Sequence, residues 1–165
     1  MTAIKERFAE VVRNAELKSI AAIKFSSEVK NRSEFERADI VVDLRDRTRW
    51  TIESGRDSTN AEVDFELKIT SRGEDRDTFL FSAGITYEVK YDFPTPLPED
   101  KVTSEALKLF MGNNPRYNAW PFLREYLNYA TAYASLPPLT LPLLKPFAYE
   151  EKKQNRIERS LNTSV

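Results

Sequence analysis

Two runs of strict alternation, separated by a short turn, constrain this chain more than any other feature. Val63, Phe65, Leu67 and Ile69 stand opposite Asp64, Glu66, Lys68 and Thr70. After Arg72, Gly73, Glu74 and Asp75, the odd positions are again apolar: Phe79, Phe81, Ala83, Ile85, Tyr87, Val89, Tyr91 and Phe93. Successive side chains of a strand point to opposite faces, so a period of two held this long specifies an antiparallel hairpin with one largely aromatic face. Water does not tolerate such a face, and other elements must cover it. Gly84, inside the second run, predicts a bulge or the close approach of another backbone.

The rest of the chain supplies the cover. Ile4, Phe8, Val11 and Val12 recur at helical spacing and predict a helix over 3–14. Leu17, Ser19, Ala21, Ile23 and Phe25 alternate weakly as a first strand; Ile40, Val42 and Leu44 open a second that continues through Trp50 and Ile52. Composition predicts a turn over 31–34 and a loop over 54–60. Beyond 94–100 the strand signal stops. A helix is expected over 103–111, ending near Gly112, and a longer one over 118–135, with Pro121 in its first turn where a missing N–H costs little. Arg124 and Glu125 are the only charges between Asn118 and Leu144. A helix so poor in charge calls for burial on more than one side, the second side being another subunit. Phe122, Tyr126, Ala130 and Tyr133 are the expected oligomer contacts. Prolines 137, 138, 142 and 146 forbid a helix over 135–146, which reads as an extended apolar loop; a polar helix is expected over 147–160. Strands first and helices after is the α+β pattern: one antiparallel sheet with helices on one face. At 165 residues, a single domain over 1–165, with its core in about 17–150, is expected.

Composition then limits the chemistry. The chain has no His and no Cys, and its four glycines are scattered. Thiol nucleophiles, His bases, the usual zinc sites and Gly-rich phosphate loops are therefore excluded. Asp43 and Asp46 flank Arg45, and Glu74 and Asp75 share a turn, but no apolar setting is visible that would raise a carboxyl pKa. Both pairs read as solvated charge, so no catalytic residue, cofactor or metal is expected. With 25 basic and 26 acidic residues interleaved, neither a nucleic-acid partner nor an acidic membrane surface is indicated. The N-terminal stretch has no apolar signal core, which favours the cytoplasm. The uncharged stretch 126–144 holds three prolines and several polar residues, and reads as a helix end and a loop rather than a span inserted in a membrane.

The leucines of that loop, Leu136, Leu139, Leu141, Leu143 and Leu144, cannot all be buried by a narrow segment lying on a surface, so some must face a groove or a partner. In this setting the chain resembles the SecB family of export chaperones. The resemblance rests on VVDLRD (41–46), EVDFELKIT (62–70), DTFLFSAGITYEV (77–89) and above all NAWPFLREYLNYATAYASLPPLTLP (118–142). It implies a four-stranded Greek-key sheet followed by a long helix, a Pro/Leu-rich connecting loop and a second helix, assembled as a homotetramer, a dimer of dimers. It further implies an ATP-independent holdase that binds unfolded or nascent polypeptides in apolar grooves, here Val42, Leu44, Tyr126, Leu136, Leu139, Leu141 and Leu143. Family members that deliver clients to the SecA motor present acids on the flat face of the sheet. Glu28 keeps one such acid, whereas Lys24 and Ser82 stand where others would be. That departure from the pattern admits the SecB-like chaperones that guard antitoxins in toxin–antitoxin systems. The residues by themselves also leave open an assembly or adaptor subunit with one protein partner, and a carrier of a small hydrophobic ligand.

Overall fold

The alternating runs form adjacent strands: the first begins before its pattern, and the second matches its pattern to within one residue at each end. The structure, a computed structural model, describes residues 2–31, 35, 39–52, 57–72, 78–144 and 156–157. Its elements are α1 (Thr2–Asn14), β1 (Glu16–Val29), β2 (Ile40–Ile52), β3 (Ser58–Ser71), β4 (Thr78–Asp92), α2 (Lys101–Tyr133) and the two-residue β5 (Arg156–Ile157). The sheet order is β1-β4-β3-β2-β5. Strands β2, β3 and β4 are neighbours in sequence and in space, and β1 lies beside β4, which is Greek-key order. The β1–β4 pair is antiparallel: Lys18 faces Asp92 at one end, and the Lys30 amide donates to the Leu80 carbonyl at the other. The expected α+β architecture is observed.

Chain contacts define two compact units. One comprises Met1–Ile23, Arg47–Asp64 and Thr86–Pro121; the other comprises Lys24–Asp46, Phe65–Ile85 and Phe122–Val165. In the first, Val63, Val89 and Tyr91 of the sheet, Phe93 just beyond β4, and Leu107, Phe110 and Met111 of α2 are buried, as is Val11 of α1. Phe110 meets the rings of Tyr91 and Phe93 edge-on, with centroids 5.1 and 6.2 Å apart, the favoured geometry for aromatic pairs. In the second, Phe65, Leu67, Ile69, Phe81 and Ile85 of the sheet and Leu123 and Leu127 of α2 form the core. The odd positions of β3 and β4 are thus the covered face, as the alternation requires.

Several elements depart from the sequence reading. The two helices expected over 103–111 and 118–135 are one helix, α2, with Pro115 and Pro121 inside it. Each proline removes one rung of the ladder. The helix continues because every fourth residue from Thr103 through Leu107, Met111, Pro115, Ala119, Leu123 and Leu127 to Thr131 is buried. Such an unbroken stripe outweighs two missing hydrogen bonds and the propensity cost of Gly112. Asp100 starts the helix as its N-cap, accepting the Thr103 amide at 2.6 Å. The loop expected over 54–60 is already strand from Ser58: the Phe93 amide donates to the Asp57 carbonyl, and Asn60 bonds Glu88 at 3.2 Å. Cross-strand pairing there overrides a turn-like composition. Gly84 answers to a side chain rather than a backbone, since a Cβ there would stand 3.2 Å from Ser26 Oγ on the neighbouring strand. The turns at 32–34 and 73–75 lie outside the described residues. So does the helix expected over 147–160, except at Arg156 and Ile157, where the backbone is extended and pairs with Asp43 and Val42 of β2.

Candidate functional site

The second unit holds every residue assigned a binding role from sequence, and the structure sorts them. Ser135 takes a positive φ of 55°; the Leu136 amide donates to the Thr131 carbonyl and the Ser135 amide to the Ala132 carbonyl, both at 2.9 Å. This is a Schellman motif with serine where glycine is usual. It turns the chain sharply, so the loop starts against the helix it has just left. Leu136 and Leu141 are buried, Leu139 and Leu144 are half-buried, and Leu143 is 72% exposed. Two of the proposed groove leucines are therefore core residues of their own unit, and Leu143 is the one held in water. On β2, Val42 is buried and Leu44 half-buried. The half-buried Tyr126 donates its hydroxyl to the Ser26 carbonyl at 2.8 Å, with the Gly84 carbonyl at 3.4 Å. Burial raises its pKa.

The expected oligomer contacts divide in the same way. Ala130 faces its own core, because the buried stripe of α2 passes through 123, 127, 130 and 131. Phe122 and Tyr133 point outward, Tyr133 being 82% exposed. Tyr129, which sequence reasoning did not single out, is 65% exposed and stacks on Tyr133 with centroids 5.8 Å apart. Also missed is β1. This edge strand is exposed along almost its whole length, with Leu17, Ile23, Phe25 and Val29 in water and Phe25 at 73%. Ser26 stands against Gly84, so even positions of β1 share a face with even positions of β4. The apolar odd positions of β1 therefore lie on the side that is covered at β4 and uncovered at β1. Their alternation was legible; the lack of cover was not. In the second unit alone, Phe25, Val29, Phe122, Tyr129, Tyr133 and Leu143 are large apolar side chains left in water, more than isolated surface residues account for.

The opposite face of the sheet is polar and largely self-neutralised. Arg49 reaches Glu62 at 2.9 Å and Asp64 at 3.0 Å, Thr86 donates to Asp64 at 2.8 Å, Lys90 pairs with Glu88, and Lys18 pairs with Asp92. The hydrogen bond with Lys90, then that with Asn60, holds the Glu88 carboxyl below its usual value. Glu28, the residue assigned to a SecA contact, is exposed and bonded to Lys30 at 2.7 Å. Asp43 is bonded to Arg45 at 3.1 Å, while Glu74 and Asp75 lie outside the described residues. In the first unit α1 is tied down by Asn14, whose side chain bonds the Thr95 carbonyl and amide, and by Arg7, which reaches both Glu10 and Asp100. An open cleft beside it, about 340 Å³, is bordered by Glu10, Arg13 and residues 95–98. Among the described residues, no helix is long and apolar enough to cross a membrane.

A Greek-key sheet, one long helix and a latched Pro/Leu loop form a SecB-like fold, and the comparisons agree. The solved structure of the SecB-like chaperone Rv1957 of Mycobacterium tuberculosis, in complex with a ChAD peptide from the antitoxin Rv1956 HigA1, superposes with a TM-score of 0.73; the match covers 87% of this chain and 99% of that one at 19% identity. In sequence, the chain is 32% identical over 63 residues to the SecB-like chaperones Rv1957 and MT2006 from two strains of that organism. The matched segment spans 38% of this chain and 35% of the length of those relatives. No protein-family model matches the chain.

Proposed function

We propose that this protein is an ATP-independent, SecB-like chaperone that holds unfolded or nascent polypeptide segments on the apolar surface of its second unit. The observation that carries the reading is that surface itself: Phe25 and Leu143 stand mostly in water on a well-packed unit. A protein of this size gains nothing in stability from such exposure, so the surface is kept for contact. Apolar side chains there would take up alternate residues of an extended client, while the edge of β1, unpaired among the described residues, offers backbone groups for strand addition. No bond is made or broken, so no catalytic residue, cofactor or metal is required.

The client class follows from the similarity to Rv1957, which is solved with an antitoxin peptide. We assign this chain to the guarding of an antitoxin in the cytoplasm in preference to delivery to SecA. Lys24 and Ser82 stand where acids would be needed, and Glu28 is neutralised by Lys30. The assembly proposed is a homotetramer built on the outer face of α2 (Phe122, Tyr129, Tyr133), which leaves the exposed edge of β1 and the loop tip at Leu143 to the client. Several binding surfaces on one assembly would raise avidity for a long client.

The test is suppression of aggregation of two unrelated unfolded proteins, without nucleotide. Suppression of both at about one assembly per client supports the holdase. Failure on both, with tight capture of one folded protein, would make the chain an adaptor, and copurification of a small apolar molecule would make it a carrier.

A further inference from the structure

The loop after α2 is pinned to the helix at two points. Thr131 is buried in the last turn. Its Oγ1 lies 2.8 Å from the Leu127 carbonyl and 3.1 Å from that of Asn128, donating into the helix, and it accepts the Leu139 amide at 3.0 Å. Two turns earlier, Arg124 Nε donates to the Leu141 carbonyl at 2.8 Å. Residues 124 and 131 are about 10 Å apart along a helix axis, close to the reach of three extended residues. The loop therefore runs back along α2 from one pin to the other.

The second pin fixes more than Leu141. Its carbonyl belongs to the planar peptide joining Leu141 to Pro142, and the Pro142 ring fixes the next φ near −65°. One soft torsion, ψ of Pro142, then separates the anchored carbonyl from Leu143. Few amides are available to hold such a loop, because Pro137, Pro138 and Pro142 have none; the Leu139 amide is one of them, and Thr131 holds it.

We propose that Arg124 and Thr131 are positioning residues of the polypeptide-binding surface, setting the register of the loop so that Leu136 and Leu141 are buried and Leu143 is presented to the client. This rests on the function proposed above. The chain has no cysteine, so Leu143→Cys supplies a single thiol for a nitroxide label. Leu143 is largely in water, so on the otherwise native chain the label is expected to show the restricted motion of an exposed side chain on an ordered backbone. Its motion should increase with Thr131→Val, which keeps the shape and loses the acceptor, and with Arg124→Ala; Thr131→Ser should leave it unchanged. Affinity for reduced, carboxymethylated α-lactalbumin, measured on the unlabelled proteins, should fall about 3- to 10-fold for Thr131→Val and for Arg124→Ala, as expected for one lost hydrogen bond. Thr131→Ser should bind like the native chain. A more mobile label with native affinity, or a label that neither substitution frees, overturns the positioning role. If Thr131→Val does not fold, Arg124→Ala, at a half-buried site, decides. Native protein that fails to bind α-lactalbumin overturns the proposed function and the positioning role with it, and that result needs no variant.

Discussion

Leu141 and Leu143 are two residues apart on one loop, and replacing each with alanine should give opposite outcomes. Leu141 is 3% exposed, so Leu141→Ala removes buried methyl groups and leaves a cavity, at a cost of about 2–5 kcal/mol. For a chain of this length that corresponds to a fall in Tm of about 4–20 °C. Leu143 has 72% of its surface in water, so Leu143→Ala should move Tm by no more than a few degrees. Full burial of a leucine is worth about 1.5–3 kcal/mol. The share that Leu143 still has to offer a client is roughly 1–2 kcal/mol, or about 5- to 30-fold in affinity. The assay pairs a melting curve with a titration of labelled unfolded client. Leu143→Ala that melts like the native chain and binds client as tightly would refute a role for the loop tip. A large loss of stability in Leu143→Ala would refute the packing described for the loop.

Four further outcomes are expected. Tyr129→Asp and Tyr133→Asp should leave the chain folded and reduce the mass measured by light scattering, whereas Ala130→Glu should unfold the second unit, because an unpaired charge would enter its core. Ser135→Gly should raise stability in urea by up to about 1–2 kcal/mol, the cost of a left-handed backbone for a residue with a Cβ; an unchanged midpoint would count against the turn geometry. Burial raises the pKa of Tyr91, despite its bond from Asn118, and that of Tyr126. A phenol whose folded pKa lies above its unfolded value of about 10 favours folding fully below pH 10 and loses that contribution as pH rises towards the folded value. Stability should therefore fall above pH 10, less steeply in Tyr91→Phe. At the acid end, the Thr103 amide holds the Asp100 carboxyl below its usual range, so the cap is present above about pH 4 and is lost as pH falls further.

Local pattern made the strands and α1 readable, because a period of two or of 3.6 needs only the covalent geometry of neighbouring residues. It failed where distant residues decide. Gly112, and Pro121 taken as the first turn of a second helix, marked a break in α2 by propensity, yet the buried stripe from Thr103 to Thr131 carries the helix through both and through Pro115. Ser58 and Asn60 have turn-like composition, yet the end of β4 pairs that stretch into the sheet. Of the candidate site, the loop leucines and Tyr126 were found from composition and from resemblance. Phe25 and Tyr129 were not, because nothing in their own neighbourhoods distinguishes them from core residues.

By itself the sequence determined what chemistry this protein is denied and which residues alternate. Without His and Cys it has no thiolate, no imidazole and no common zinc ligand set, whatever its fold, since side-chain chemistry is a property of composition. Only the tertiary structure decided which apolar residues remain in water. Phe81 and Phe25 each sit on the apolar side of an alternating strand, but β4 lies between two strands and under α2 whereas β1 is an edge, so one ring is fully buried and the other is 73% exposed. Leu141 and Leu143 differ in the same way, one held against α2 by Arg124 and the other beyond that pin. Exposure is set by what comes to lie against a residue, and for Phe81 and Leu141 the covering neighbour is distant in the chain.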